Sequence, residues 1–99
     1  MNEKFFNLLG LCMRAGRLVS GEDGCIKAIR AETAALAILD GSASDNARKA
    51  LSDACAYRSV PLLETQPDAL GRAVGKPNRK AVVITDKGFA RALIKAAEE

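Results

Sequence analysis

Two apolar runs, Ala35 to Leu39 and Ala81 to Ile84, contain no polar or charged residue and stop abruptly, the first at Asp40 and Gly41, the second at Thr85 and Asp86. A strand exposed on one face alternates apolar with polar residues, so uninterrupted runs of this length fit strands covered on both faces. Both are expected in the middle of a sheet, with helices above and below it. The segments between them supply those helices. Phe5, Leu8, Leu9 and Cys12 recur at i, i+3, i+4 and i+7, one stripe on a helix ending near Gly16. Ser42 to Asp45 offers capping residues ahead of a second stripe of Ala47, Leu51, Ala54 and Cys55. Pro67 and Asp68 open a helix through Leu70 and Val74 that stops at Gly75, and Ala90, Leu93, Ile94 and Ala97 mark a closing helix. Arg17 to Ser20 and Val60 to Leu63 read as the remaining strands, Gly21 to Gly24 as a turn, and Cys25 to Ala31 as a short helix with Ile26 and Ile29 inward.

Helix and strand therefore alternate along the chain, which predicts an α/β fold: a three-layer α/β/α sandwich around a mostly parallel sheet of four strands. Its 99 residues suffice for one domain, residues 1–99, with a single core. Apolar residues make up 48% of the chain but come in short blocks, far below the roughly 20 consecutive residues of a membrane span. The first residues lack the basic leader and cleavage site of a secretory signal, so no membrane association and a cytoplasmic location are expected.

Histidine is absent, and the three cysteines, Cys12, Cys25 and Cys55, are widely spaced. They lack the spacing of a metal-binding set and read as reduced, buried small hydrophobes. Without imidazole, neither a cysteine nor a serine has the usual base to activate it, which argues against triad-type hydrolysis. Asp40, Asp45 and Asp86 follow strands, where α/β proteins often hold magnesium, and a small metal-dependent enzyme is one reading of them. Asp45 and Asp86 sit beside Ser44 and Thr85 at helix starts, however, and capping is the stronger reading. The chain has neither a GxGxxG nor a GxxxxGK[ST] sequence, and no metal, cofactor or enzymatic activity is expected.

Charge is placed unevenly. Residues 1–40 carry five cations and five anions, whereas residues 41–99 carry ten and seven, so the net charge of +3 lies wholly in the second part. Arg72, Lys76, Arg79 and Lys80 fall within ten residues that contain no acid, together with Asn78. Such a run often does no more than keep a surface solvated. Here a helix end, a proline-containing loop and a buried strand would hold it stiffly, which suits a polyanion, and Asn78 adds a group that both donates and accepts hydrogen bonds. A second candidate is the segment Gly21, Glu22, Asp23, Gly24, where two glycines allow close backbone approach and the carboxylates can accept hydrogen bonds from base amino groups. The bland alternative is that Glu22 and Asp23 only complement the dipole of the next helix. Lys27, one turn on, is a candidate phosphate contact. No aromatic platform accompanies these residues, since Phe5 and Phe89 fit buried stripes and Tyr57 ends a helix. A folded RNA recognised by shape fits better than stacked single-stranded bases.

The order of Leu8, Leu9, Gly10, Leu11 with Arg14, then Ser20, Gly21, Glu22 and Lys27, then Asp45 to Lys49, Val60 with Pro61, Leu70 to Lys76, and Ile84 to Ala90 resembles the YlxQ-like branch of the kink-turn-binding ribosomal-protein family. That family includes an archaeal large-subunit ribosomal protein, and the resemblance spans Leu8 to about Ala97. It implies a mixed four-stranded sheet in order 1-4-2-3 with the fourth strand antiparallel to the others. It also implies that Gly21 to Gly24 and Gly75 to Lys80 meet at one edge as a joint RNA surface, with Gly21 and Lys27 matching the family pattern by position. Together with the unopposed cations, the resemblance makes Gly21, Glu22, Asp23, Gly24, Lys27, Arg72, Lys76, Asn78, Arg79 and Lys80 the candidate RNA-binding residues. Where relatives carry Asn or Lys followed by Glu or Gln, this chain has Asp23 and Gly24, and its loop before the fourth strand is polar where theirs is largely apolar. The reading is a non-enzymatic binder of structured RNA, with ribosomal RNA as a candidate. A protein-interaction module of the same fold is the alternative, with no protein partner identifiable.

Overall fold

The period-two pattern of the two central strands explains the layering. In the computed structural model, which describes residues 1–99, β2 (Leu36–Leu39) and β4 (Ala81–Ile84) are buried along their whole length. Leu36, Ile38, Val82 and Ile84 face one way, into a core with Phe5, Leu9, Leu70, Val74 and Leu93. Ala37, Leu39, Ala81 and Val83 face the other way, against Cys25, Ile29, Leu51 and Cys55. Each buried aliphatic side chain contributes about 1.5–3 kcal/mol of apolar transfer free energy, and the two faces together drive the sandwich.

The order of elements is α1 (Glu3–Arg14), β1 (Leu18–Ser20), α2 (Glu22–Arg30), β2, α3 (Asp45–Arg58), β3 (Leu62–Glu64), α4 (Ala69–Val74), β4 and α5 (Lys87–Ala97). Helices α1, α4 and α5 cover one face, and α2 and α3 the other. The sheet order is β1-β4-β2-β3, as the family resemblance implies. It is mixed and not mostly parallel: β4 runs antiparallel to both β1 and β2, and only the β2–β3 ladder is parallel. Alternation of helices and strands alone predicts parallel pairing, and the short α4 defeats it. Its six residues span only about 9 Å, which keeps the chain at the edge where β3 ends, so β4 starts there and runs back. The ends of β1, β2 and β3 and the start of β4 consequently share one sheet edge, where Gly21 N–H donates to Ala81 O, Asp40 N–H to Lys80 O and Thr65 N–H to Leu39 O.

Several element boundaries shift for local reasons. Gly21 alone makes the turn after β1, with φ 95° and ψ 144°, and α2 begins at Glu22, three residues before the expected start. Glu22, Asp23 and Gly24 thus form the first helical turn and not a free loop. Strand β3 begins at Leu62, because Ser59 in the left-handed region ends α3 and Val60 N–H still bonds back to Cys55 O. Ser44 and Asp86 cap α3 and α5 through the N–H groups of Ala47 and Phe89. The three cysteines are unpaired and buried, and burial pushes the Cys12 thiol up to about 11, with Asp86 adding to the effect.

Of the three aspartates that follow strands, Asp86 caps a helix as expected, whereas Asp45 is the first residue of α3 and leaves the cap to Ser44. Asp40 has a third role. It is fully buried at the end of β2 and accepts hydrogen bonds from the N–H of Ser42 (3.0 Å), Asp68 (2.8 Å) and Leu70 (3.0 Å), from the Thr65 hydroxyl (3.3 Å) and from the Ser42 hydroxyl. Asp68 precedes α4 with φ 64° and makes no side-chain cap, so Asp40 supplies the missing cap from another strand. Burial alone would raise the Asp40 carboxyl, but the bonds from Ser42, Leu70 and Asp68 outweigh it and hold the group below the usual carboxylate range. A depressed folded-state pKa stabilises the protein above the unfolded value near 3.9 and loses that contribution as pH falls toward the folded value. Asp40→Asn is therefore expected to destabilise the protein by about 3 kcal/mol at neutral pH, because a charge-assisted acceptor is lost and an amide donor faces backbone donors. Thermal melts of the two proteins should differ most above pH 5 and converge as the pH falls below 4; a constant gap across that range would contradict the assignment.

Candidate nucleic-acid interface

The basic segment is held at this edge by backbone contacts. Gly75 ends α4 in the left-handed region, with its N–H directed at the carbonyls of Arg72 and Gly71, and Lys76 N–H donates to Gly71 O at 3.0 Å. The loop lies directly on Gly71: a Cβ there would stand 2.8 Å from Lys76 O, closer than side-chain carbons tolerate, with Asn78 N in contact at 3.4 Å. Asn78 takes φ 63°, which its short amide side chain accommodates. The loop is thereby fixed without any large apolar anchor.

Arg79 connects the loop to the start of α2. A Cβ built on Gly21 would lie 3.1 Å from Arg79 Nη1, so the guanidinium rests against the glycine that turns the chain into the helix. The thiol of Cys25 also senses it: burial and then Cys55 push that thiol up to about 12, and Glu22 adds, while Arg79 opposes the rise. The structure thus joins two segments more than fifty residues apart in sequence, with the N–H groups and carboxylates of the first turn of α2 beside a cation from the loop. A cavity of about 260 Å³ opens next to them, lined by Asp68, Gly71, Arg72, Asn78, Arg79 and Lys80 together with Pro77.

The other expected residues divide into free and committed groups. Arg72, Lys76 and Asn78 are exposed, and none of Lys27, Arg72, Lys76 and Arg79 belongs to an ion pair. Lys27 is exposed on α2, and no hydrogen bond ties it to the loop. Lys80 is committed: its Nζ donates to Ser42 Oγ at 2.7 Å and lies 3.6 Å from Asp68 Oδ1, with the side chain 35% exposed. Through Ser42 it joins the Asp40 network, so its charge braces the edge. Sequence reasoning did not place Asp40, Ser42 or Asp68 at the site; the only local signal was a carboxylate followed by Gly41 and Ser42 after an apolar strand.

No stacking platform enters this edge. Phe5 is in the core, and Tyr57, 81% exposed, stands in a separate groove of about 520 Å³ between α2 and α3. That groove is larger, but Asp53 lines it, Arg58 is paired with Glu32 and Arg30 is its one unpaired cation, so it lacks the run of unpaired cations at the loop edge. No three carboxylates or thiols converge as a metal site. The arrangement offers fixed cations, amide donors and carboxylate acceptors on one rigid surface, a set suited to binding a folded polyanion.

Comparison with known proteins follows the same line. The chain is 47% identical over 92 residues to the RNA-binding protein YlxQ of Bacillus subtilis (strain 168), which covers 92% of each chain. It is 41% identical over 90 residues to the RNA-binding protein YlxQ of Enterococcus faecium, covering 90% of this chain and 86% of that one. A solved structure of a protein with unknown function from Bacillus halodurans C superposes with a TM-score of 0.93 at 34% identity, covering 99% of this chain and 100% of the other. The Giardia lamblia 15.5kD RNA binding protein shares the fold, with a TM-score of 0.75 at 23% identity over 99% of this chain and 92% of that one. A model of the ribosomal protein L7Ae/L30e/S12e/Gadd45 family matches residues 3–94, and it is to this family that the chain belongs.

Proposed function

We propose that this protein binds structured RNA at the shared sheet edge, as a ribosomal-protein-like accessory that catalyses no reaction on it. The observation that carries the reading is the Arg79 guanidinium against Gly21, which turns a basic loop and a helix start into one surface. Arg72, Lys76, Arg79 and Lys27 neutralise phosphates, while Asn78 and the first turn of α2, Gly21 to Gly24, orient the RNA. Lys80 contributes its field but chiefly holds the loop. Ribosomal RNA in the cytoplasm is the partner that this mode of contact fits, with phosphates and folded shape read ahead of base identity.

The edge is poorly equipped for strict kink-turn reading. Asp23 replaces an amide donor, Gly24 has no side chain, and the cavity by the loop has polar walls that offer no apolar seat for a flipped-out nucleotide. A kink-turn hairpin and a scrambled duplex of equal length should therefore bind with affinities within about tenfold of each other, a difference of about 1.4 kcal/mol. A larger preference for the kink-turn in a filter-binding titration would show that base readout has been underestimated.

Charge removal separates the two kinds of cation. Arg79→Gln is expected to leave the melting temperature unchanged and to reduce the slope of log affinity against log salt by about 0.7–0.9, the release attached to one phosphate contact. Lys80→Gln is expected to lower the melting temperature, because it removes a donor to Ser42 and the pair with Asp68. Arg79→Gln with an unaltered salt slope would remove the central contact of the proposal.

A further inference from the structure

Away from the sheet edge, α1 and α4 pack side by side at Gly10. A Cβ at that position would lie 3.5 Å from Ala73 O and 3.5 Å from Arg14 Nη1. The second distance shows the Arg14 side chain leaning back over the preceding turn of its own helix, as long helical side chains do, which brings its guanidinium to the seam with α4. Arg72 reaches the same seam from α4. The two arginines line a crevice of about 400 Å³ with Phe6, Asn7, Leu11 and Ala73, besides Gly10, and no carboxylate is among its walls. Neither arginine forms an ion pair. Leu11, 49% exposed, is one of the two large apolar side chains that the protein leaves in solvent.

Arg72 also lines the cavity beside Asn78 and Arg79, so a single side chain borders both spaces. Unpaired guanidinium groups then run from Arg79 through Arg72 to Arg14, and Asp68, already 3.6 Å from Lys80, is the only carboxylate lining either space. Guanidinium groups with unused N–H donors match the oxygens of a phosphodiester in charge and in planar, two-point geometry. Phe6 and Leu11 beside them provide apolar surface of the kind that packs against a sugar or base. An acidic protein segment would match the charge alone, whereas the continuity with the loop matches a chain of regularly spaced phosphates.

We propose that the bound RNA continues from the α4–β4 loop across α4 onto α1, where Arg14 and Arg72 hold a further phosphate and Phe6 and Leu11 pack against the nucleotide that carries it. This rests on the RNA reading of the sheet edge and extends it to a second face. The test is a salt series of equilibrium binding to a kink-turn hairpin with both flanking stems, for the parent protein, Arg14→Gln and Arg79→Gln. Arg14 is exposed and unpaired, so Arg14→Gln should melt with the parent, and its salt slope should be smaller by about 0.7–0.9. An unchanged slope for Arg14→Gln beside a reduced slope for Arg79→Gln overturns the α1 contact and keeps the edge. The reverse pattern overturns the edge and supports the crevice. A parent protein that does not bind the hairpin overturns both.

Discussion

A single buried carboxylate sets the geometry of the sheet edge proposed to bind RNA. Burying a charge costs several kcal/mol unless hydrogen bonds replace its hydration. Asp40 meets that condition with donors from its own turn, from the end of β3 and from the start of α4. The consequence passes outward by contact. Asp40 fixes where α4 begins, α4 carries Gly71, Gly71 seats the loop, and the loop delivers Arg79 to Gly21. The cations are thus placed before any ligand arrives, which limits the ordering entropy that binding must overcome.

Net charge is a poor guide to this surface. A value of +3 is modest, and four ion pairs occupy cations elsewhere. What distinguishes the edge is that the unpaired Arg72, Lys76 and Arg79 fall within one short run that contains no acid, while Lys80 in the same run is spent on Ser42 and Asp68. Residues of one sign and one segment therefore do two jobs. One brace holds the loop against the domain, and the free neighbours face outward at low cost because the brace is already in place.

Much of the fold was legible in the sequence because it rests on short periods. The apolar runs of β2 and β4 and the stripe Phe5, Leu9, Cys12 each declare which faces are covered, and the structure buries them accordingly. Strand direction was not legible by pattern. Alternation favours parallel pairing, and only the family resemblance implied an antiparallel β4 inserted between β1 and β2. At the site, composition marked the basic run, but the Asp40 partners at the start of α4 lie 28 and 30 residues away, beyond any local signal. The same distance problem hid the commitment of Lys80 and the crevice that Arg14 and Arg72 both line. Gly21 was visible as a glycine, yet its positive φ, which makes Glu22 to Gly24 helical, is a property of the folded edge.

Backbone amide hydrogen exchange, compared between the free protein and the protein saturated with a structured RNA, addresses the central claim most directly. Protection should rise at two places remote in sequence, the first turn of α2 from Glu22 to Cys25 and the loop from Lys76 to Lys80, because both border the Arg79–Gly21 contact. Protection that instead gathers around Tyr57 in the groove between α2 and α3, with the sheet edge unchanged, would contradict the account.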